Sequence, residues 1–206
     1  MEKTFICFSA KDLCTRSCMQ IKLFRDRPEL KPTPNANQWE GVNFQHELAA
    51  TIPNIIGEEM GNYIEVDNIR IFFSNDIVCN DKIIEVKNID KNRVLEDWYF
   101  NSCILQSAIY KTLTYFCNNK LRTSTFHVNN GNPFLECQLK ENTPFILYMG
   151  NDKYEINVLN YDIFKRYLIK KAQHSLNWDD AKMFDMKYKG KEFELLKTYF
   201  TFNKIN

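Results

Sequence analysis

No stretch of this chain approaches the roughly 18 to 20 consecutive apolar residues that a helix needs to cross a bilayer, so a membrane-spanning protein is not expected. A secretory leader is not expected either, because Met1-Glu2-Lys3 opens onto an apolar patch that Ser9, Lys11 and Asp12 interrupt. Charge of one sign is also lacking: 27 basic against 26 acidic side chains leave a formal net charge of +1. Affinity for a polyanion would therefore have to come from local clustering of Lys and Arg around a groove. There is no internal repeat, no low-complexity run and no G-x-x-x-x-G-K-[ST] phosphate loop. The seven cysteines form no framework, being odd in number and scattered through periodic segments, and are expected to be reduced and often buried in a cytoplasmic protein.

What is present is an ordinary core-forming composition, with 44% hydrophobic and 26% charged residues in 206. That is far from the signature of disorder, and the length favours a single domain. Periodicity predicts a helix within Ser9 to Arg25, an exposed loop over Pro28 to Asn37, and a helix from Gly41 to Ile52 that ends near Pro53. β-Branched and aromatic residues then predict strands at Tyr63 to Val66, Ile69 to Val78 and Lys82 to Lys87. The short polar link Cys79-Asn80-Asp81 makes the last two an antiparallel hairpin. After Asn92 the pattern turns helical, with Leu95, Trp98, Tyr99, Ile104, Leu105, Ala108, Ile109, Leu113 and Phe116 across several turns. Further strands are expected at Thr123 to Val128, Pro144 to Met149 and Tyr154 to Val158, then a helix from Tyr161 to about Leu176. The expected fold is α/β, a central mixed sheet flanked by helices.

The hairpin carries the chemistry. Alternation along a strand puts Glu85 and Lys87 of Ile84-Glu85-Val86-Lys87 on one face, and the tight turn lets Asp76 come opposite them. Acid-x-lysine triplets are common on solvated strand faces. Here Ile83, Ile84 and Val86 imply a buried strand, where two ionisable groups pointing the same way need a reason. Two carboxylates suit Mg²⁺ or Mn²⁺, and an adjacent ammonium can orient or deprotonate water and steady charge on a phosphate.

The order of these residues resembles the RecB, AddB and Cas4 branch of the PD-(D/E)xK nucleases, over roughly residues 40 to 115. That branch has a G-x-x-x-H-like helix, an aspartate at a strand end, an E-x-K strand and a Q-x-x-x-Y helix. This chain has Gly41-Val42-Asn43-Phe44-Gln45-His46, Asp76, Glu85-Val86-Lys87 and Gln106-Ser107-Ala108-Ile109-Tyr110. Phe8-Ser9-Ala10-Lys11 to Cys18 is loosely similar to the family's first helix. No proline or glycine precedes Asp76, where Ser74-Asn75 stands instead.

The resemblance implies a restriction-endonuclease-like core and a metal site of Asp76, Glu85, the Val86 carbonyl and His46. Context adds Glu59, in a stretch where related nucleases often use a helix-borne acid. Lys87 would be the catalytic base or electrostatic group, with Gln106 and Tyr110 positioning it or the nucleic acid. Several relatives hold an iron–sulfur cluster through an upstream cysteine and a downstream trio. Cys18 could match the first, but only Cys117 and Cys137 lie in the later half, so the trio is missing and no cluster is expected.

The expected activity is Mg²⁺- or Mn²⁺-dependent DNA cleavage, exonuclease-type end processing, alone or beside a protein partner in recombination or replication. The six glycines and the many Asn, Lys, Ile and Phe residues point to an AT-rich coding sequence, as in many bacteriophages. The rival readings are a non-catalytic binding module on the same fold and a restriction-type endonuclease.

Overall fold

The computed structural model describes residues 4–33, 36–89, 96–123 and 134–206. It is an α/β structure on one nine-stranded mixed sheet flanked by helices. β1 (Ile6–Ser9) runs directly into α1 (Ala10–Thr15), and α2 (Cys18–Asp26) follows after a break. The single helix predicted across Ser9 to Arg25 is therefore two, with a strand ahead of them. Ser17 makes the break: its side chain accepts from the Gln20 amide, and the Gln20 side chain accepts from the Ser17 amide. A capping box of this kind starts a new helix by satisfying two otherwise unpartnered amides. A short 3-10 turn, Pro28–Leu30, occupies the expected loop, of which residues 34 and 35 lie outside the described residues. α3 (Ala36–Ala49) starts and stops earlier than Gly41 to Ile52.

β2 (Ile55–Val66), β3 (Ile69–Cys79) and β4 (Ile83–Lys87) form an antiparallel meander. The strand predicted at Tyr63 to Val66 is only the end of β2, because Gly57, Glu58, Glu59 and Gly61 mask the strand pattern ahead of it. The predicted hairpin is present, with Ile77 opposite Ile84 and Val78 opposite Ile83. α4 (Asp97–Phe116) is the long helix expected after Asn92; residues 90–95, including Leu95, lie outside the described residues. β5 (Lys120–Thr123) lies just before most of the strand expected at Thr123 to Val128, of which residues 124–128 are outside the described residues.

The chain continues through β6 (Glu136–Gln138), β7 (Phe145–Met149), β8 (Asp152–Val158), α5 (Tyr161–His174), α6 (Trp178–Tyr188), α7 (Glu192–Leu196) and β9 (Phe200–Ile205). The order across the sheet is β6-β5-β2-β3-β4-β7-β8-β9, with β1 paired to β3 off this path. β4 and β7 are parallel, as are β1 and β3, which makes the sheet mixed.

Burial assigns the two faces. Met60, Ile64, Ile69, Ile71 and Phe73 pack with Ile104, Ile109 and Leu113 of α4 and with Leu13 and Phe164 in the main core. Each such fully buried aliphatic stabilises by about 1.5–3 kcal/mol. On the other face Ile77, Cys79, Ile84, Val86 and Ile146 pack with Phe44, Leu48 and Ala49 of α3. β3 thus changes phase along its length: Phe73 faces α4, Asn75 donates to Thr114 of α4, Ile77 faces α3, and Val78 faces the main core again. The shift falls at Asp76. Among the described residues no helix is long and apolar enough to cross a membrane.

Candidate metal-binding and catalytic cleft

The cleft begins as a gap in strand pairing. β2 runs along one edge of β3 from Val66 to Ile55. On the other edge β1 pairs with β3 only from Ile69 to Phe72, and β4 only at Ile77 and Val78. Phe73 to Asp76 are therefore left between the end of β1 and the end of β4, and a cleft of about 640 Å³ opens there. Ser9 and Lys11 line it from the start of α1, Glu85 and Lys87 from β4, and Gln106 and Tyr110 from α4.

Three acids cross this gap on adjacent strands. Asp76 follows Asn75 in β3 and stands one step beyond the Ile77–Ile84 pair, so Glu85 is its neighbour on β4. On β2, Glu58 pairs with Ile77 and Met60 with Asn75, which leaves Glu59 across from Asp76. Glu59 is held with φ at 49°. The other non-glycine residues with positive φ among the described ones are Asn54, Asp67, Asn118 and Asn119, types that tolerate this region. For a glutamate inside a strand the conformation costs about 1–2 kcal/mol, strain of the kind that collects at functional sites.

The hydrogen bonds hold the row in place. The Val86 amide donates to Asp76 Oδ2 at 2.7 Å, so β4 binds the Asp76 side chain where it would otherwise bind backbone. In a strand a residue's N–H and C=O leave on the same side, and the Val86 carbonyl accordingly faces this edge too. Ser74 Oγ donates to Glu59 Oε2 at 2.9 Å. Gln45 Nε2 of α3 reaches both Glu59 Oε1, at 3.3 Å, and the Asp76 carbonyl, at 3.0 Å. Lys87 Nζ donates to Glu85 Oε1 at 2.7 Å, and Gln106 Nε2 to the same oxygen at 3.2 Å. Glu85 is only 1% exposed, and its other oxygen, Oε2, has no hydrogen-bond partner.

The electrostatics follow from this crowding. Burial pushes the Asp76 carboxyl up to about 6, with the Glu59 charge adding to the rise and Lys87 and the Val86 amide opposing it. Glu85 is pushed up to about 7, first by burial and then by the charge of Asp76. Burial also raises Glu59. Desolvation alone would lower Lys87, but the Glu85 and Asp76 charges outweigh it and raise its pKa, which keeps the ammonium protonated. Tyr110 is raised well above its ordinary value by burial and by Glu85.

Three carboxylates in a desolvated cleft with one unpartnered oxygen make a donor set of hard oxygens, the type that suits Mg²⁺ or Mn²⁺. They form a row spread over three strands; no three His, Cys, Asp or Glu side chains among the described residues already converge as a closed cage. Of the residues singled out from sequence, Glu59, Asp76, Glu85, Lys87, Gln106 and Tyr110 line this one cleft. His46 does not line it: its Nδ1 lies 2.6 Å from Glu58 Oε2, and the side chain is half exposed. Gln45, one residue earlier, enters the site in its place. Gln45, Ser74 and Lys11 escaped the sequence reading, since no spacing rule marks an isolated Gln, Ser or Lys. Glu59, expected between the histidine helix and the strands where related nucleases often use a helix-borne acid, is on β2.

Comparison with family models, with curated proteins and with solved structures gives no match to this chain.

Proposed function

We propose that the chain is a divalent-metal-dependent deoxyribonuclease with a restriction-endonuclease-like core of the PD-(D/E)xK type, working as one domain on DNA in the cytoplasm. The observation that carries this reading is the row Glu59, Asp76 and Glu85 lining one cleft beside Lys87, with Glu85 buried and its Oε2 left unpartnered. Asp76, Glu85 and the Val86 carbonyl would hold Mg²⁺ or Mn²⁺, with Glu59 as a further acid from β2. When bound, the cation grips a phosphate oxygen and lowers the pKa of water.

The chain's own side chains do the rest. Lys87, kept protonated by Glu85 and Asp76, steadies the charge that develops on the phosphate and orients the attacking water. Its raised pKa favours this over proton abstraction in the metal-free protein. Gln106 fixes Glu85 Oε1 from α4, and Gln45 fixes Glu59 together with the Asp76 backbone from α3. His46, whose ring meets Glu58 and does not line the cleft, is given no role in this proposal.

End processing by exonuclease action, alone or as a subunit beside a recombination or replication partner, is the form of the activity we favour. Incubation with end-labelled linear and closed circular DNA, in Mg²⁺, Mn²⁺ or EDTA, tests both points. Loss of label from linear DNA in either metal, with circles spared and EDTA inhibiting, is the expected result. Cutting of circles would make the enzyme an endonuclease, and no cutting of either substrate would remove the assignment.

A further inference from the structure

The face of β2 and β3 that α4 leaves uncovered carries a pattern the acids do not explain. Tyr63 and Phe72 are cross-strand partners, with ring centroids 5.5 Å apart and planes inclined at 59°. Two residues further along, Gly61 pairs with Ser74 on β3 and with Arg122 on β5. Directly paired residues present their side chains on one face, so Tyr63, Phe72, Ser74 and Arg122 share a surface whose floor at Gly61 is bare. That floor has to be bare, because a Cβ on Gly61 would stand 1.9 Å from the Phe73 carbonyl oxygen. Phe72 is 41% exposed and Phe134 58%, and both line the same cleft as the acid row.

Cations alternate with these rings. The Arg122 guanidinium lies 5.9 Å from the Tyr63 ring centroid, and Lys11 lines the cleft from α1. Among the described residues neither makes a direct ion pair, although the Lys11 charge helps to favour the ionised forms of Glu59, Asp76 and Glu85. Arg70, by contrast, is paired with Glu65 while lying over Tyr63. Four residues along each strand, about 13 Å at 3.3 Å per residue, separate the Tyr63–Phe72 pair from Glu59 and Asp76.

An exposed Phe72 beside the half-buried Tyr63, with cations alongside, suits a polyanion that offers flat apolar faces. Duplex DNA turns its base faces only toward one another and would leave the rings unused, whereas an unpaired strand can stack its bases on them and set its phosphates against the cations. We infer that Tyr63 and Phe72 form a stacking ledge for single-stranded DNA, with Arg122 and Lys11 holding its phosphates, and that the ledge delivers one strand to the acid row. This inference rests on the nuclease reading for its direction, but its test does not depend on cleavage.

Fluorescence anisotropy in EDTA, with a labelled oligothymidylate and a labelled blunt duplex, reads binding without cutting. The parent should bind the single strand at least about tenfold tighter than the duplex. The Tyr63→Ala, Phe72→Ala double variant should lose about tenfold or more for the single strand and change little for the duplex. Phe72→Ala alone, at a half-exposed ring, should give part of that loss if the double variant folds poorly, and Phe72→Trp should restore binding. Equal binding of single strand and duplex, binding of neither, or single-strand binding that survives in the folded ledge variants would overturn the ledge. A parent that binds single strands through the ledge yet cuts nothing in Mn²⁺ would sink the nuclease reading and leave the ledge standing.

Discussion

Lys87 Nζ stands 2.7 Å from Glu85 Oε1, while the second oxygen of the same carboxylate is buried without a partner. An unpartnered buried acceptor is costly, and a bound cation would relieve it. Mn²⁺ should therefore raise the melting temperature of the parent by several degrees, following ordinary binding linkage. Glu85→Gln should lose most of that gain, since an amide oxygen carries no charge to hold the metal. A thermal shift of equal size in Glu85→Gln would place the cation elsewhere.

The raised carboxyls give metal-free stability a definite sign with pH. A folded-state value above the unfolded one means that the stability contribution is full below the unfolded value and is lost as pH rises through the folded value. For Glu85 the window runs from its ordinary value of 4.5 up to about 7. Lys87 also has a raised pKa, but its contribution stays whole throughout this window and does not alter the slope. In EDTA, the parent should lose melting temperature relative to Glu85→Gln between about pH 5 and pH 8, and Mn²⁺ at the upper end should restore it in the parent only. Parallel pH profiles for the two proteins would contradict the assignment of Glu85 as the titrating group.

Gln45 and His46 should separate cleanly. Gln45→Ala removes a donor shared by Glu59 and the Asp76 carbonyl, and leaving such acceptors unsatisfied costs about 1–3 kcal/mol. Cleavage should fall with it, because the acid row loses its brace from α3. His46→Ala breaks only a half-exposed contact with Glu58 and should leave cleavage within a few-fold of the parent. A steep loss in His46→Ala, with Gln45→Ala active, would restore the histidine to the site.

Gly61→Ala tests the close approach of β2 to β3. With a Cβ 1.9 Å from the Phe73 oxygen the strands must part, at a cost on the order of 1–3 kcal/mol, and the melting temperature should fall by several degrees. An unchanged melting temperature would show that the two strands separate freely there.

Much of the scaffold was legible because hydrophobic period reports it directly. The β3–β4 hairpin, α4, β7, β8 and α5 all follow from alternation or from apolar residues at helical spacing. β1 was missed because Ile6–Ser9 is short and joins α1 without a turn signal, and the early part of β2 because glycines and acids fill it. The side-by-side placement of Asp76, Glu85 and Lys87 could be read from strand period and turn length. The left-handed Glu59 and the entry of Gln45 in place of His46 could not, because they depend on where α3 docks and on how β2 and β3 bend together, and pairwise spacing carries neither. The gap between β1 and β4 that opens the cleft is likewise a property of the assembled sheet.

The most direct test sets Asp76→Ala and Lys87→Ala beside the parent, measuring Mn²⁺ binding by thermal shift and cleavage of end-labelled DNA in one buffer. Asp76→Ala should lose both, since it removes a ligand. Lys87→Ala should keep cation binding largely intact while cleavage drops by about a hundredfold or more, the usual scale for an acid–base or electrostatic group. If Lys87→Ala cuts DNA as fast as the parent, the Glu85–Lys87 pair is only a charged strand and the account of this cleft as a nuclease site is contradicted.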